Sequence, residues 1–143
     1  MSANTKASRP YRPLLAVTIR ILILALTLAT AWIHSTLGGA LFTLNAFGYT
    51  ALAIAMIAPG PIGRLRWLVR LALMAFASAT VVGWLLFGAW FSLAYLDKGI
   101  ELVLITLVAV EVCREDGGVA GIVQRLSRIA FAMLDAPAAS SAR

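Results

Sequence analysis

The sequence has few of the residues on which most catalytic and metal sites depend: one cysteine, one histidine and six acidic residues among 143. A single cysteine, Cys113, excludes an internal disulfide and any multi-cysteine metal or redox site within one chain. A single histidine, His34, excludes a haem held by two histidines of one protomer. A Gly-rich phosphate loop and the H-E-x-x-H and G-x-S-x-G motifs are also missing. We therefore predict that the protein is not an enzyme and has no catalytic residues, no metal site and no cofactor.

Charged residues are scarce too, at 13% of the chain, whereas 62% of the residues are hydrophobic. Soluble domains carry about 25% charged residues, so this composition is typical of a membrane protein whose main partner is the lipid bilayer. The net charge of +6 comes from basic residues that cluster at the ends of apolar runs. Such placement orients a membrane protein, and we predict no binding to nucleic acid.

Four apolar runs each have about the 20 residues that a helix needs to cross a bilayer. The dipeptide Gly38-Gly39 and the tripeptide Pro59-Gly60-Pro61 separate the first three runs. We predict an all-α fold, an integral membrane four-helix bundle that occupies residues 13–115. Its spans cover residues 14–34, 40–58, 67–90 and 95–113.

The first run allows a second interpretation. A basic start, an apolar segment and Ala29-Thr30-Ala31 together resemble a signal peptide with a small-residue cleavage site. The run is long for the apolar segment of a signal peptide, however, and three further spans follow it. We therefore favour an uncleaved first span.

The segments that flank the spans are polar or amphipathic. Residues 1–12 predict a basic cytoplasmic tail, and residues 135–143 predict a disordered tail. Between Gly117-Gly118 and that tail, residues 119–134 place apolar side chains along one helical stripe and Arg125 and Arg128 on the other side. This pattern is typical of a helix at the membrane surface, although packing against the inner ends of the bundle also fits it.

The distribution of basic residues predicts the orientation of the spans. Cytoplasmic loops carry the excess of lysine and arginine. With both termini in the cytoplasm, only Lys98 falls on the outer side, and the inner side holds Lys6, Arg9, Arg12, Arg64, Arg66, Arg70, Arg114, Arg125 and Arg128. We therefore predict an N-in, C-in protein. Its compactness favours a bacterial cytoplasmic membrane.

The fourth span differs from the others because it contains charged residues near both ends. Charged groups at membrane depth cost several kcal/mol unless they are paired or hydrated. Arg20 and His34 in the first span are fourteen residues apart, as are Asp97 and Glu111 in the fourth. Fourteen residues make about four helical turns, so two antiparallel helices could pair Arg20 with Glu111 and His34 with Asp97. The alternative is that Arg20 and Glu111 each extend to water at the inner membrane surface.

His34, Asp97, Lys98 and Glu101 form the candidate polar or ion site at the outer end of the bundle. Asp97 and Glu101 share a helix face because they are four residues apart. Carboxylates and an imidazole could relay protons or bind a cation. The alternative interpretation is a solvated helix end whose charges neutralise one another.

Two further groups of residues are typical of helix packing. Asn45 and Tyr49 lie on one face of the second span, where they could bond a neighbouring helix or line a small polar pocket. Ala75, Ala79 and Gly83 recur every four residues of the third span and would let another backbone approach closely.

The absence of a catalytic pattern favours a small accessory, assembly or scaffold protein of the cytoplasmic membrane. Ala75, Ala79 and Gly83 would then contact a second copy of the chain or a larger membrane protein. The alternative function is a small oligomeric transporter or channel that uses the outer carboxylates to bind ions or protons.

Overall fold

The computed structural model describes residues 11–134, which form six helices and confirm the predicted all-α class. The predicted N-terminal tail lies outside the described residues except for Tyr11 and Arg12, which begin the first helix, and the tail over residues 135–143 lies outside them entirely. The helices are α1 (Tyr11–Leu37), α2 (Ala40–Ile57), α3 (Pro61–Arg64), α4 (Arg66–Phe87), α5 (Ser92–Glu115) and α6 (Gly118–Leu134).

The helix ends follow local backbone chemistry, and several differ from the predicted bounds. Gly38 and Gly39 have φ values of 70° and 86°, a region that favours glycine, so α1 continues past His34 and stops at Leu37. At the end of α4, Gly88 is extended (φ −77°, ψ 152°), and the helix ends at Phe87 rather than at Trp90. The short helix α3 was not predicted. Pro61 occupies its first position, where the missing N–H costs nothing.

Three of the helices, α1, α2 and α4, are long and apolar enough to cross a membrane. Their apolar segments have mean hydropathies of 2.3, 1.7 and 1.8. By the same measure α5 is not a candidate, because it carries six charged residues among its 24. Length and composition alone therefore do not establish the predicted fourth span.

The four long helices contact one another in a closed order. The helix α1 packs against α2 and α5, and α4 likewise packs against α2 and α5, while α6 contacts α5. Between them lies an apolar core that includes Ile23, Tyr49, Leu73, Leu104 and Val108. The α5 helix is thus in contact with α1, α4 and α6.

The side chain of Phe76 on α4 packs closely against Gly48 of α2, a position that the sequence did not single out. A Cβ atom added there would lie 2.5 Å from the ring of Phe76 on α4. Phe76 in turn packs edge-on against Tyr49, with ring centroids 4.9 Å apart. Among the predicted packing residues, Ala75 and Ala79 are exposed, and nothing lies within 4 Å of a Cβ built on Gly83. Within the described residues this strip therefore does not bring two helices together.

We predict that Gly48→Ala destabilises the protein by about 1–3 kcal/mol, because the new methyl overlaps Phe76 in a packed core. The matched control is Gly83→Ala, also inside a helix, where the better helix propensity of alanine should stabilise the protein by up to about 1 kcal/mol. Unfolding of the purified variants by SDS in mixed micelles, followed by circular dichroism, measures both changes. Equal free energies of unfolding for the two variants would contradict the close packing of Phe76 against Gly48.

Candidate functional site

The inner face of α5 carries charged residues at both ends and apolar residues in the middle. Its buried residues recur every three or four positions and therefore lie on one side of the helix. They are Ala94, Asp97, Lys98, Glu101, Leu104, Val108, Glu111 and Val112. Two clusters result, which we name by their partners from other helices: the histidine cluster (His34, Asp97, Lys98 and Glu101) and the arginine cluster (Arg20, Arg70, Glu111 and Asp116).

The arginine cluster joins α1, α4 and α5 near the end of α5. Arg20 Nε donates to Glu111 Oε1 at 2.8 Å, and Arg70 Nη2 lies 3.3 Å from the same oxygen. Arg70 Nη1 donates to Asp116 Oδ2 at 2.7 Å. The two arginines balance the two carboxylates. Glu111 is only 4% exposed, so it does not simply reach water, whereas the Arg20 side chain is 42% exposed and reaches the surface as well as Glu111.

Two further ion pairs extend the arginine cluster. Arg20 Nη2 lies 3.1 Å from Glu115 Oε2, and Arg125 Nη1 lies 3.4 Å from Asp116 Oδ1. The second contact ties α6 to the end of α5 by one of the two arginines predicted to face the membrane surface. Arg128, the other arginine, is exposed.

Arg70 and Asp116 were not among the predicted site residues. Arg70 was grouped with the basic residues of the inner loops because it is close to the start of a span. A signal for it was nevertheless present, since Arg70 and Thr80 are ten residues apart on α4, as are Glu101 and Glu111 on α5. The spacing argument that paired α1 with α5 also pairs α4 with α5.

The histidine cluster lies at the other end of the long helices. Lys98 Nζ donates to Glu101 Oε2 at 2.6 Å and lies 3.0 Å from Asp97 Oδ2, and His34 Nδ1 lies 3.7 Å from Asp97 Oδ1. The four residues are between 0% and 7% exposed. The interpretation of a solvated helix end is therefore wrong, because these charges are enclosed by the protein.

Glu101 is held by hydroxyl groups from two further helices. Tyr49 on α2 donates to Glu101 Oε1 at 2.7 Å, and Thr80 Oγ1 on α4 lies 2.8 Å from the same oxygen. Tyr49 is fully buried, and its bond to Glu101 joins α2 to α5. Thr80 is an uncharged residue of a common type, and only its ten-residue spacing from Arg70 could have drawn attention to it.

His34 is oriented by its own helix. Its Nδ1 lies 3.0 Å from the carbonyl oxygen of Thr30. A carbonyl can only accept, so this bond requires the proton on Nδ1 and leaves the lone pair of the neutral ring on Nε2. The ring also packs against Phe42 and Tyr49, at centroid distances of 5.9 and 5.7 Å. The imidazole is thus fixed beside Asp97 with one nitrogen available for a proton or a ligand.

The histidine cluster carries an unbalanced charge. With a neutral imidazole, the two carboxylates and one ammonium sum to one negative charge, unlike the balanced arginine cluster. Asp97 is 1% exposed, and its Oδ1 has no hydrogen-bond partner among the described residues. A buried carboxylate oxygen without a partner is costly, and a cation bound there would satisfy it.

A cleft of about 570 Å³ adjoins the histidine cluster. His34, Asp97, Lys98 and Asn45 contribute to its wall. Aromatic and small residues supply most of the remaining lining, including Phe76, Ala79, Gly83, Trp84 and Phe87. The cluster therefore borders a space large enough for a small solute.

No family model, no curated protein and no solved structure matches the chain.

We predict that Glu111→Gln destabilises the protein by about 1–3 kcal/mol, because it removes the charged acceptor shared by Arg20 and Arg70. The matched control is Glu115→Gln, at a carboxylate whose side chain is 37% exposed, which should cost no more than about 0.5 kcal/mol. The free energy of unfolding in mixed micelles measures both effects. If both variants lowered the free energy of unfolding equally, Glu111 would not be the main carboxylate that joins Arg20 to Arg70.

Proposed function

We propose that α1, α2, α4 and α5 all cross the membrane and form a four-helix bundle. Large apolar side chains are exposed on the outside, among them Ile21, Leu44 and Phe87 at 61%, 67% and 88%, while charged groups of α5 are turned inward. That arrangement is the reverse of a soluble protein and suits a lipid environment. Pairing of the α5 charges with α1 and α4 lowers the cost of placing this helix in the bilayer.

The proposed topology has both termini in the cytoplasm of a bacterial cell. In the proposed bundle, the helix ends that carry arginines lie on one side, with Arg64, Arg66, Arg114 and Arg125. Among the described residues, Lys98 is the only lysine or arginine at the helix ends of the other side. The positive-inside rule then assigns the arginine-rich side to the cytoplasm. On this topology α6 lies along the inner membrane surface, with Val119 and Val123 among its exposed apolar residues.

For the biochemical role, we propose a small transporter or channel that binds a proton or cation at the histidine cluster. The observation that supports this proposal best is a buried cluster of two carboxylates, one lysine and one histidine in the wall of a cleft. Ionisable residues inside membrane proteins commonly mark ion or proton pathways. Tyr49, Thr80 and Lys98 would hold Glu101 in place, while Asp97 and His34 would take up and release the ion.

We predict that Asp97→Asn abolishes ion flux in proteoliposomes, because the amide keeps the shape of the side chain but cannot be charged or protonated. Flux should be measured with a fluorescent proton indicator and with alkali-cation gradients across the same vesicles. Glu115→Gln is the control, since it makes the same chemical change at the far end of α5, outside the cleft. Undiminished flux in a correctly folded Asp97→Asn protein would refute the proposed role of the cluster.

The second candidate function is that of an accessory, assembly or scaffold protein. It is favoured by the strip on α4, where Ala75 and Ala79 are exposed and Gly83 has open space above it. Small residues on a lipid-facing helix allow the backbone of a second membrane helix to approach closely. The partner would be a second copy of the chain or a larger membrane protein.

We predict for this candidate that Ala79→Leu weakens the association, because the larger side chain separates the two helix backbones. Native mass spectrometry of protein extracted gently from its membrane measures the loss of the bound partner. Ala51→Leu on the exposed surface of α2 is the control, because it adds the same bulk away from the strip. Retained association in Ala79→Leu would exclude this surface as the interface.

A further inference from the structure

The histidine cluster has the donor set of a metal site. A ring nitrogen of His34 and carboxylate oxygens of Asp97 and Glu101 all lie within 4.8 Å of one another, and all three residues are buried. Ligand atoms bound to one ion at about 2.0–2.2 Å are roughly 3–4 Å apart. Because His34 Nδ1 donates its proton to Thr30, Nε2 is the nitrogen that would bind the ion. Ligand atoms that lie up to 4.8 Å apart would have to move together by about 1 Å to surround an ion.

One observation beyond the acidic residues points to a ligand here. Asp97 Oδ1 is buried and has no hydrogen-bond partner within residues 11–134, and it lies on the side of the carboxylate that faces His34. The other oxygen, Oδ2, is paired with Lys98. Asp97 thus has one oxygen satisfied by an internal ammonium and one oxygen free to bind a cation beside an imidazole.

The Lys98 ammonium lies between the carboxylates of Asp97 and Glu101, where a bound cation would also lie. Its ammonium contacts Asp97 and Glu101 at 3.0 and 2.6 Å. Lys98 also borders the cleft, and the flexible stem of a lysine lets the ammonium withdraw into such a space. Lys98 can therefore leave the carboxylates without any movement of α5.

We propose that the histidine cluster binds a divalent transition-metal ion and that Lys98 is an internal counter-ion that the metal displaces. Withdrawal of the lysine leaves two negative charges, which one divalent ion neutralises in full, whereas a monovalent ion restores only the charge that the lysine supplied. An imidazole among the ligands favours a transition metal over Mg²⁺ or Ca²⁺, which prefer oxygen alone. The Nδ1–H bond to Thr30 orients the ring as in other metal-binding histidines.

This inference rests on the site named in the proposed function and specifies its ligand. The test is a titration of the tag-free protein in detergent with Co²⁺, followed through the d–d absorption of the bound ion. We expect saturable binding by the native chain and binding about tenfold tighter or more in Lys98→Met, since that variant removes the competing positive charge. His34→Gln and Asp97→Asn should each weaken binding by about tenfold or more. Glu115→Gln should leave it unchanged.

Size-exclusion chromatography and circular dichroism establish that each variant is folded before its titration. If Lys98→Met does not fold, the comparison of the native protein with His34→Gln decides the outcome, because loss of the Co²⁺ spectrum in His34→Gln supports the site. Absence of binding to the native chain and to Lys98→Met would overturn the proposal, as would an unchanged spectrum in His34→Gln. Proton flux that depends on Asp97 in a protein without Co²⁺ binding would overturn this inference alone and leave the proposed function standing.

Discussion

Neutralisation of the charges on the inner face of α5 is the constraint on which the rest of the structure depends. Four of the eight buried residues on that face are charged, and each carboxylate among them contacts a basic or hydroxyl group. The partners come from α1, α2 and α4 as well as from α5 itself. A buried charge without a partner costs several kcal/mol, so the positions of these helices relative to α5 are set by polar contacts as much as by apolar packing.

The two ends of α5 meet this constraint differently. At the arginine cluster two guanidinium groups balance two carboxylates, and α6 adds Arg125 at the edge. At the histidine cluster a single lysine faces two carboxylates, and the Thr30 carbonyl orients the nearby imidazole. A balanced cluster has little reason to bind an ion, whereas an unbalanced one beside a cleft does. This difference directs the functional proposals to one end of the molecule.

The sequence predicted the helical class and the approximate positions of the helices because apolar length and glycine or proline breaks are local signals. It also led to the Arg20–Glu111 and His34–Asp97 contacts, since equal spacing on two antiparallel helices is visible in residue numbers alone. The contact of Arg70 with Glu111 and Asp116 was missed because Arg70 was assigned to the membrane surface by its position in the chain. Gly48 could not be found, because its role depends on which neighbouring atoms are within reach, and Thr80 could have been found only through its spacing from Arg70.

The close approach at Gly48 and the distribution of partners around α5 have a consequence for the order of assembly. In the proposed topology, α5 is the least apolar of the spanning helices and the last to be synthesised. Its carboxylates find their partners on helices that have already left the ribosome, namely Arg20 on α1, Tyr49 on α2 and Arg70 on α4. The earlier helices can therefore pack together before α5 arrives, and Gly48 lets Phe76 of α4 pack closely against α2. Chain order and charge placement together would make insertion of α5 the step that closes the molecule.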